Sequence, residues 1–267
     1  MKVRARSFSS LMSALFLTVV LIGAVTAQGT SPNGSFGFLL NVSYNDPSNQ
    51  GGVAILGAMN FDGAGNVSGP YTLELGSGGA VPVTTITGNF TGTYSGNPDG
   101  TGNITVALDI GVNLTFAMVI DDGGRGLQLV VTSCSGGCNL SGVVISGVGR
   151  AKRPKIKSVG VLQGSYGVQF TKSPLPATGL DVATFDGAGN VTVSTTFVGT
   201  GGQVSNGVFI GTYSVNPDGT GNITLAPQPG QGAQTFVIVI TDGSSGLLLL
   251  QTNRLGNGVL YGTGRLQ

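Results

Sequence analysis

The sequence predicts an all-β protein: two tandem antiparallel up-and-down (meander) β-barrels of about eight strands each, after a cleaved signal peptide. Three observations carry this. A fourteen-residue phrase occurs twice, GTYSGNPDGTGNIT at 92–105 and GTYSVNPDGTGNIT at 211–224, and the copies differ only at Gly96 against Val215. Apolar residues recur with a period of two between turn signals rich in Gly, Asn and Asp. No stretch after the first 27 residues shows helical spacing.

The N-terminus has the parts of a secretory leader. Lys2, Arg4 and Arg6 precede an apolar run over 11–24, and Val25-Thr26-Ala27 offers small residues for cleavage before Gln28. The run is shorter than the roughly 20 apolar residues a membrane span needs. Residues 1–27 are therefore expected to be removed, which places the mature chain outside the cell or in the periplasm. Removal takes three of the 12 basic residues and no acid, leaving 9 against 11 and a net charge of −2. That balance gives no footing for nucleic acid or for an anionic membrane.

Aligned on the repeated phrase, the two copies keep one order of motifs. GSFGF (34–38) matches GSYGV (164–168), and FDGAGN (61–66) matches FDGAGN (185–190). LTFAMVIDDGGRGLQLVVT (114–132) matches QTFVIVITDGSSGLLLLQT (234–252), and each copy closes on GVGR (147–150) or GTGR (262–265). Barrel one is assigned to 34–150, a basic linker to 151–163 and barrel two to 164–267. Five of the nine mature basic residues fall in 150–157, which reads as a solvated joint.

Within copy one, Ile104, Val106 and Leu108 alternate with Thr105, Ala107 and Asp109, and Leu114, Phe116, Met118 and Ile120 keep the same phase. This is a sheet with one packed face. The predicted strands are 35–44, 53–61, 66–75, 83–95, 103–110, 113–121, 126–133 and 142–150. Short connections make sequence neighbours pair antiparallel, and closure removes the exposed edges. A two-sheet sandwich is the alternative.

The chemistry is narrow. Without His there is no Ser-His-Asp or Cys-His machinery and no imidazole metal ligand. The single Glu, Glu74, has no counterpart in copy two. Three acidic positions recur, Asp62 with Asp186, Asp99 with Asp218 and Asp122 with Asp242, all beside Gly in turns, where Asp hydrogen-bonds local backbone. Asn97-Pro98-Asp99-Gly100 resembles half a calcium loop but supplies one carboxylate and no later Glu, and it fits a type I turn with a Gly bulge. No catalytic, cofactor-binding or metal-binding residue is assigned. Cys134 and Cys138, separated by Ser-Gly-Gly, are expected to form a disulfide across a hairpin turn in an exported chain. Sequons at Asn41, Asn66, Asn103, Asn190 and Asn222 follow from turn-then-strand composition. The packed face offers Phe, Leu, Ile, Val, Met and Gly, with Tyr94 and Tyr213 near the repeated turn and no convergent polar groups.

FDGAGN followed by GTYSxNPDGTGNIT, twice over, resembles secreted Gly-rich proteins of soil bacteria such as acidobacteria. The resemblance covers the mature chain and implies export and fold rather than an activity. The meander, opened in each copy by Gly-Ser-Phe/Tyr-Gly, also resembles calycin barrels (lipocalins, avidins) and the allene oxide cyclase barrel. The chain departs from the Trp signatures of lipocalins and avidins, having no Trp, so their ligand chemistry does not carry over. The expected role is non-enzymatic binding of a small apolar molecule or a surface partner. The alternatives are a calycin-like isomerase or cyclase, and an outer-membrane barrel of about sixteen strands or a structural envelope protein. Short turns on both sides, sparse aromatics and an end at Arg265-Leu266-Gln267 weigh against the membrane barrel.

Overall fold

The computed structural model describes residues 31–44, 52–76, 83–138, 140, 143–152, 159–173, 177–199, 201–227, 232–253 and 258–267. The leader, the 153–158 part of the basic joint and most of the 253–257 turn lie outside them. The first eight strands are β1 (Gly34–Tyr44), β2 (Val53–Phe61), β3 (Asn66–Leu75), β4 (Thr84–Gly96), β5 (Thr101–Leu108), β6 (Asn113–Asp121), β7 (Gly126–Ser135) and β8 (Val143–Ala151). The second eight are β9 (Gln163–Ser173), β10 (Ala177–Asp186), β11 (Asn190–Val198), β12 (Val204–Val215), β13 (Thr220–Leu225), β14 (Gln234–Thr241), β15 (Gly246–Gln251) and β16 (Val259–Leu266). Within each set of eight, every strand pairs antiparallel with its sequence neighbours, and β1–β8 and β9–β16 pairing closes two separate barrels. Closure rules out the sandwich, and the strands form two rings of eight rather than one of sixteen.

The period-two pattern sets which side chains face inward. In β5, Ile104, Val106 and Leu108 are buried while Asn103, Thr105 and Ala107 are exposed. This strand stops at Leu108, short of the expected 110, because the chain turns there. The Leu108 N–H donates to the Val112 carbonyl at 2.8 Å and Gly111 N–H to the Leu108 carbonyl at 3.0 Å.

The repeated phrase folds as a hairpin turn in both copies. Gly100 N–H donates to the Asn97 carbonyl (3.1 Å), Asn97 N–H to the Thr101 carbonyl (2.7 Å), and Gly100 takes φ +84°, which a residue with a Cβ resists. Asp99 Oδ1 accepts the Thr101 N–H (2.9 Å) and hydroxyl (2.7 Å), and these bonds hold its carboxyl below the usual range. Asp218 repeats both bonds with Thr220. Asp62 accepts N–H bonds from Ala64 and Asn66 and the Asn66 side-chain amide, and Asp186 does the same with Ala188 and Asn190. The third pair meets the repeated Arg of the closing strand: Arg265 reaches Asp242 at 2.6 Å, and Arg150 lies 3.9 Å from Asp122 and 3.6 Å from Asp121. The recurring acids are turn residues.

All these turns lie at one end of each barrel, its base. There an aromatic triad repeats, Phe36–Phe61–Tyr94 with centroids 5.5 and 4.9 Å apart and Tyr166–Phe185–Tyr213 at 5.4 and 5.0 Å, every pair edge-to-face. In barrel two a short 3₁₀ turn, Val159–Val161, and the fully buried Leu162 seal the base. The Tyr213 hydroxyl donates into this seal, 2.8 Å from the Leu162 carbonyl and 3.1 Å from that of Val159. Tyr213→Phe removes the donor from a buried acceptor and is expected to lower stability by about 1–2 kcal/mol, measured by urea unfolding, with the barrel retained by circular dichroism.

The barrels meet through a joint that the alternation does not reveal. Leu39 of β1 and Ala54 and Leu56 of β2 point away from lumen one and pack on Val239, Leu248, Leu250 and Val259 of barrel two. Polar contacts border them: Ser173 Oγ donates to the Val42 carbonyl (3.1 Å) and Thr85 Oγ1 to the Thr252 carbonyl (2.8 Å). Glu74, flanked in the sheet by Ala54 and Thr85, is fully buried here with neither carboxyl oxygen hydrogen-bonded among the described residues.

Candidate functional site

The barrels share a base and differ in what fills them. Aligned on their turns, the inward positions pair Phe38 with Val168, Gly57 with Asp181, Met59 with Ala183 and Tyr71 with Thr195. Nearer the mouth, Ile86 pairs with Ser205, Leu114 with Gln234 and Val131 with Gln251. Copy two is the smaller or more polar at each of them, and at position 57 it is more polar by adding a carboxyl.

In barrel one the Phe38 ring occupies the space over Gly57, where a Cβ would come within 2.7 Å of it. Phe38, Met59, Tyr71 and Phe90 are buried in one continuous core. At the mouth the Cys134–Cys138 disulfide, with Cα atoms 6.0 Å apart, packs with Leu140 against that core, so the expected bridge is present and closes a hairpin over the end. Asp109, in the β5–β6 turn, accepts the Tyr71 hydroxyl and the Asn89 N–H, each at 2.8 Å. The Asn89 N–H and then the Tyr71 hydroxyl hold its carboxyl below the usual range. Burial and the carboxylate together push Tyr71 up to about 12.

In barrel two the same level is open. A cavity of about 500 Å³ lies among Val168, Phe170, Ala183, Val193, Phe197, Phe209, Phe236 and Leu249, a volume ordinary for a small-molecule site. Its lining also includes Asp181, Thr195, Ser205, Gln234 and Gln251. This corrects the expectation of a packed face without convergent polar groups. Val168, Asp181, Thr195 and Gly207 are successive cross-strand neighbours, one row deeper than Phe170, Gly179, Phe197 and Ser205. At the mouth Gln251 Nε2 donates to Gln234 Oε1 (3.4 Å), while Asn253 holds the β14 entry through the Thr235 N–H (2.8 Å) and the Ala233 carbonyl (2.7 Å).

Asp181 is the charged group of this lining. Burial raises its pKa above the ordinary value, and its Oδ1 is buried without a partner among the described residues. A carboxyl in that state takes a hydrogen-bond donor or a cation from whatever enters. The signal for it was in the sequence. Phe185 fixes the inward phase of its strand, and counting back by twos from it puts Ala183 and Asp181 in the lumen.

Among the described residues no group of three or more His, Cys, Asp or Glu could hold a metal, and no helix is long and apolar enough to cross a membrane. The structure brings together neither the recurring Asp residues nor the disulfide with the cavity. They belong to the bases and to the first barrel's mouth.

No family model matches the chain, and no curated protein does. Among solved structures it is similar to a de novo designed fluorescence-activating β-barrel, with 13% identity over 47% of this chain and 97% of that one, at a TM-score of 0.30. A protein of Nitrosomonas europaea assigned as AttH covers 92% of this chain and 97% of its own at 9% identity and a TM-score of 0.32. A protein of unknown function from the DUF3598 family of Nostoc punctiforme covers 92% and 100% at 10% identity and a TM-score of 0.26.

Proposed function

We propose that this is an exported binding protein in which the second barrel carries a small, largely apolar molecule and the first, filled barrel supports it. One observation supports this above the others. At one level of the lumen the bulk of Phe38, Met59 and Tyr71 becomes Val168, Ala183 and Thr195, and about 500 Å³ opens where the sister barrel is packed. A solid barrel gains nothing from that loss, since unfilled apolar space costs stability. The leader and the Cys134–Cys138 bridge support export.

A catalytic reading draws on the raised pKa of Asp181 in a cavity. Binding is favoured because no second acid or base stands among the described lining residues to exchange a proton with it. Titration with the neutral fluorophore N-phenyl-1-naphthylamine is expected to saturate at one probe per chain with a blue-shifted emission. Absence of saturable binding would remove the proposal.

A further inference from the structure

We infer that the second barrel selects a ligand with a protonated amine on an apolar body, and that Asp181 is the residue that anchors it. This rests on the cavity reading above and adds the chemistry of the ligand.

The carboxyl stands where the first barrel has Gly57, so it enters this lumen as an addition to a fold that closes without it. Its Oδ1 is buried with no hydrogen-bond partner among the described residues, and no Lys or Arg is among the described lining residues. Barrel one shows how the same scaffold treats a carboxyl that serves structure. Asp109 has both oxygens occupied, one by the Tyr71 hydroxyl and one by the Asn89 N–H, and it sits in a turn rather than in the wall. Asp181 has been left with an acceptor to spare, facing the cavity.

The apolar lining points the same way. Phe170, Phe197, Phe209 and Phe236 border the cavity, with the Phe170 and Phe236 centroids 5.6 Å apart. Aromatic faces attract cations through their quadrupoles, most strongly away from water. A carboxylate among four Phe rings therefore favours an ammonium group over a neutral one and disfavours an acid, whose charge would meet Asp181 with no counter-ion among the described lining residues. Gln234 and Gln251 at the mouth can accept the remaining ammonium protons or those of a water.

The test is competition against N-phenyl-1-naphthylamine at pH 7.5 with three molecules sharing one chain, n-decylamine, n-decanol and n-decanoate, below their micelle concentrations. In the full protein, decylamine is expected to displace the probe at a concentration at least about tenfold below that of decanoate, with decanol between. Asp181→Asn, close to isosteric, is expected to erase the difference between amine and acid, read as the ratio of their displacing concentrations within that variant. Asp181→Gly, the residue of the first barrel, serves as a second variant with the same readout. Equal displacement by amine and acid in the wild type, or discrimination that survives in both variants, overturns the assignment while leaving the cavity as a binding site. Failure of the wild type to bind the probe overturns the carriage reading itself.

Discussion

Filling the second lumen with the first barrel's residues, Val168→Phe, Asp181→Gly and Ala183→Met together, is expected to abolish probe binding and to raise stability by about 2–4 kcal/mol. The sign follows from what each change does. Phe at 168 supplies the ring that Phe38 supplies in barrel one, Gly at 181 makes room for it as Gly57 does, and Met at 183 restores the volume of Met59. The wild-type lumen lacks those contacts and keeps a carboxyl out of water, both of which cost stability. Cavity-filling changes commonly return about 0.5–2 kcal/mol each. Denaturant unfolding and the naphthylamine titration on one preparation check both halves. A triple variant that gained stability and still bound the probe would place the probe elsewhere on the molecule.

The second large effect concerns pH and the joint between barrels. Burial pushes Glu74 up to about 7, and the neighbouring Thr85 hydroxyl is given to the Thr252 carbonyl rather than to the carboxyl. A carboxyl whose folded pKa lies above its unfolded value binds its proton more tightly in the native state. Its contribution is complete below the unfolded value of about 4.5 and is lost as pH rises through the folded value of about 7. The protein is therefore expected to be more stable near pH 5 than at pH 8, by on the order of 2 kcal/mol from Glu74 after allowing for screening. Glu74→Gln is expected to raise Tm at pH 8 and to flatten the dependence between pH 5 and 8. Melting curves across that range decide it, and an unchanged slope in the variant would mean that water reaches Glu74.

The strands and closure were legible because one physical rule governs them. Where one face is packed, side chains alternate, and Ile104, Val106 and Leu108 with their turn-bounded neighbours fix the register throughout. The turns were legible for the same reason, since Asn-Pro-Asp-Gly and Asp-Gly demand backbone geometries that few residues supply. The joint was harder to see because it erases the alternation. Leu247–Leu250 of β15 are buried on both faces, and so are Leu39 and Leu40 of β1, where copy two keeps exposed Gln169 beside Phe170. The cavity was missed for a subtler reason. It is a difference between copies, and weighing how well two segments match directs attention to the bases, where they agree. Asp181, Thr195 and Gln251 stand where they do not.

The seal at the base of barrel two also says what was inherited when the chain was doubled. Counting back from GSFGF and GSYGV, the buried Leu162 falls opposite Pro32, which is likewise buried just ahead of β1. The second ring of strands thus arrives with its own stopper, carried on the residues in front of it. A fragment cut at Gly164 keeps almost all of the second sheet and loses both carbonyls that Tyr213 holds. One begun before Val159 keeps the whole heritable piece. What looks like a spacer between two barrels is, from Val159 on, the first part of the second.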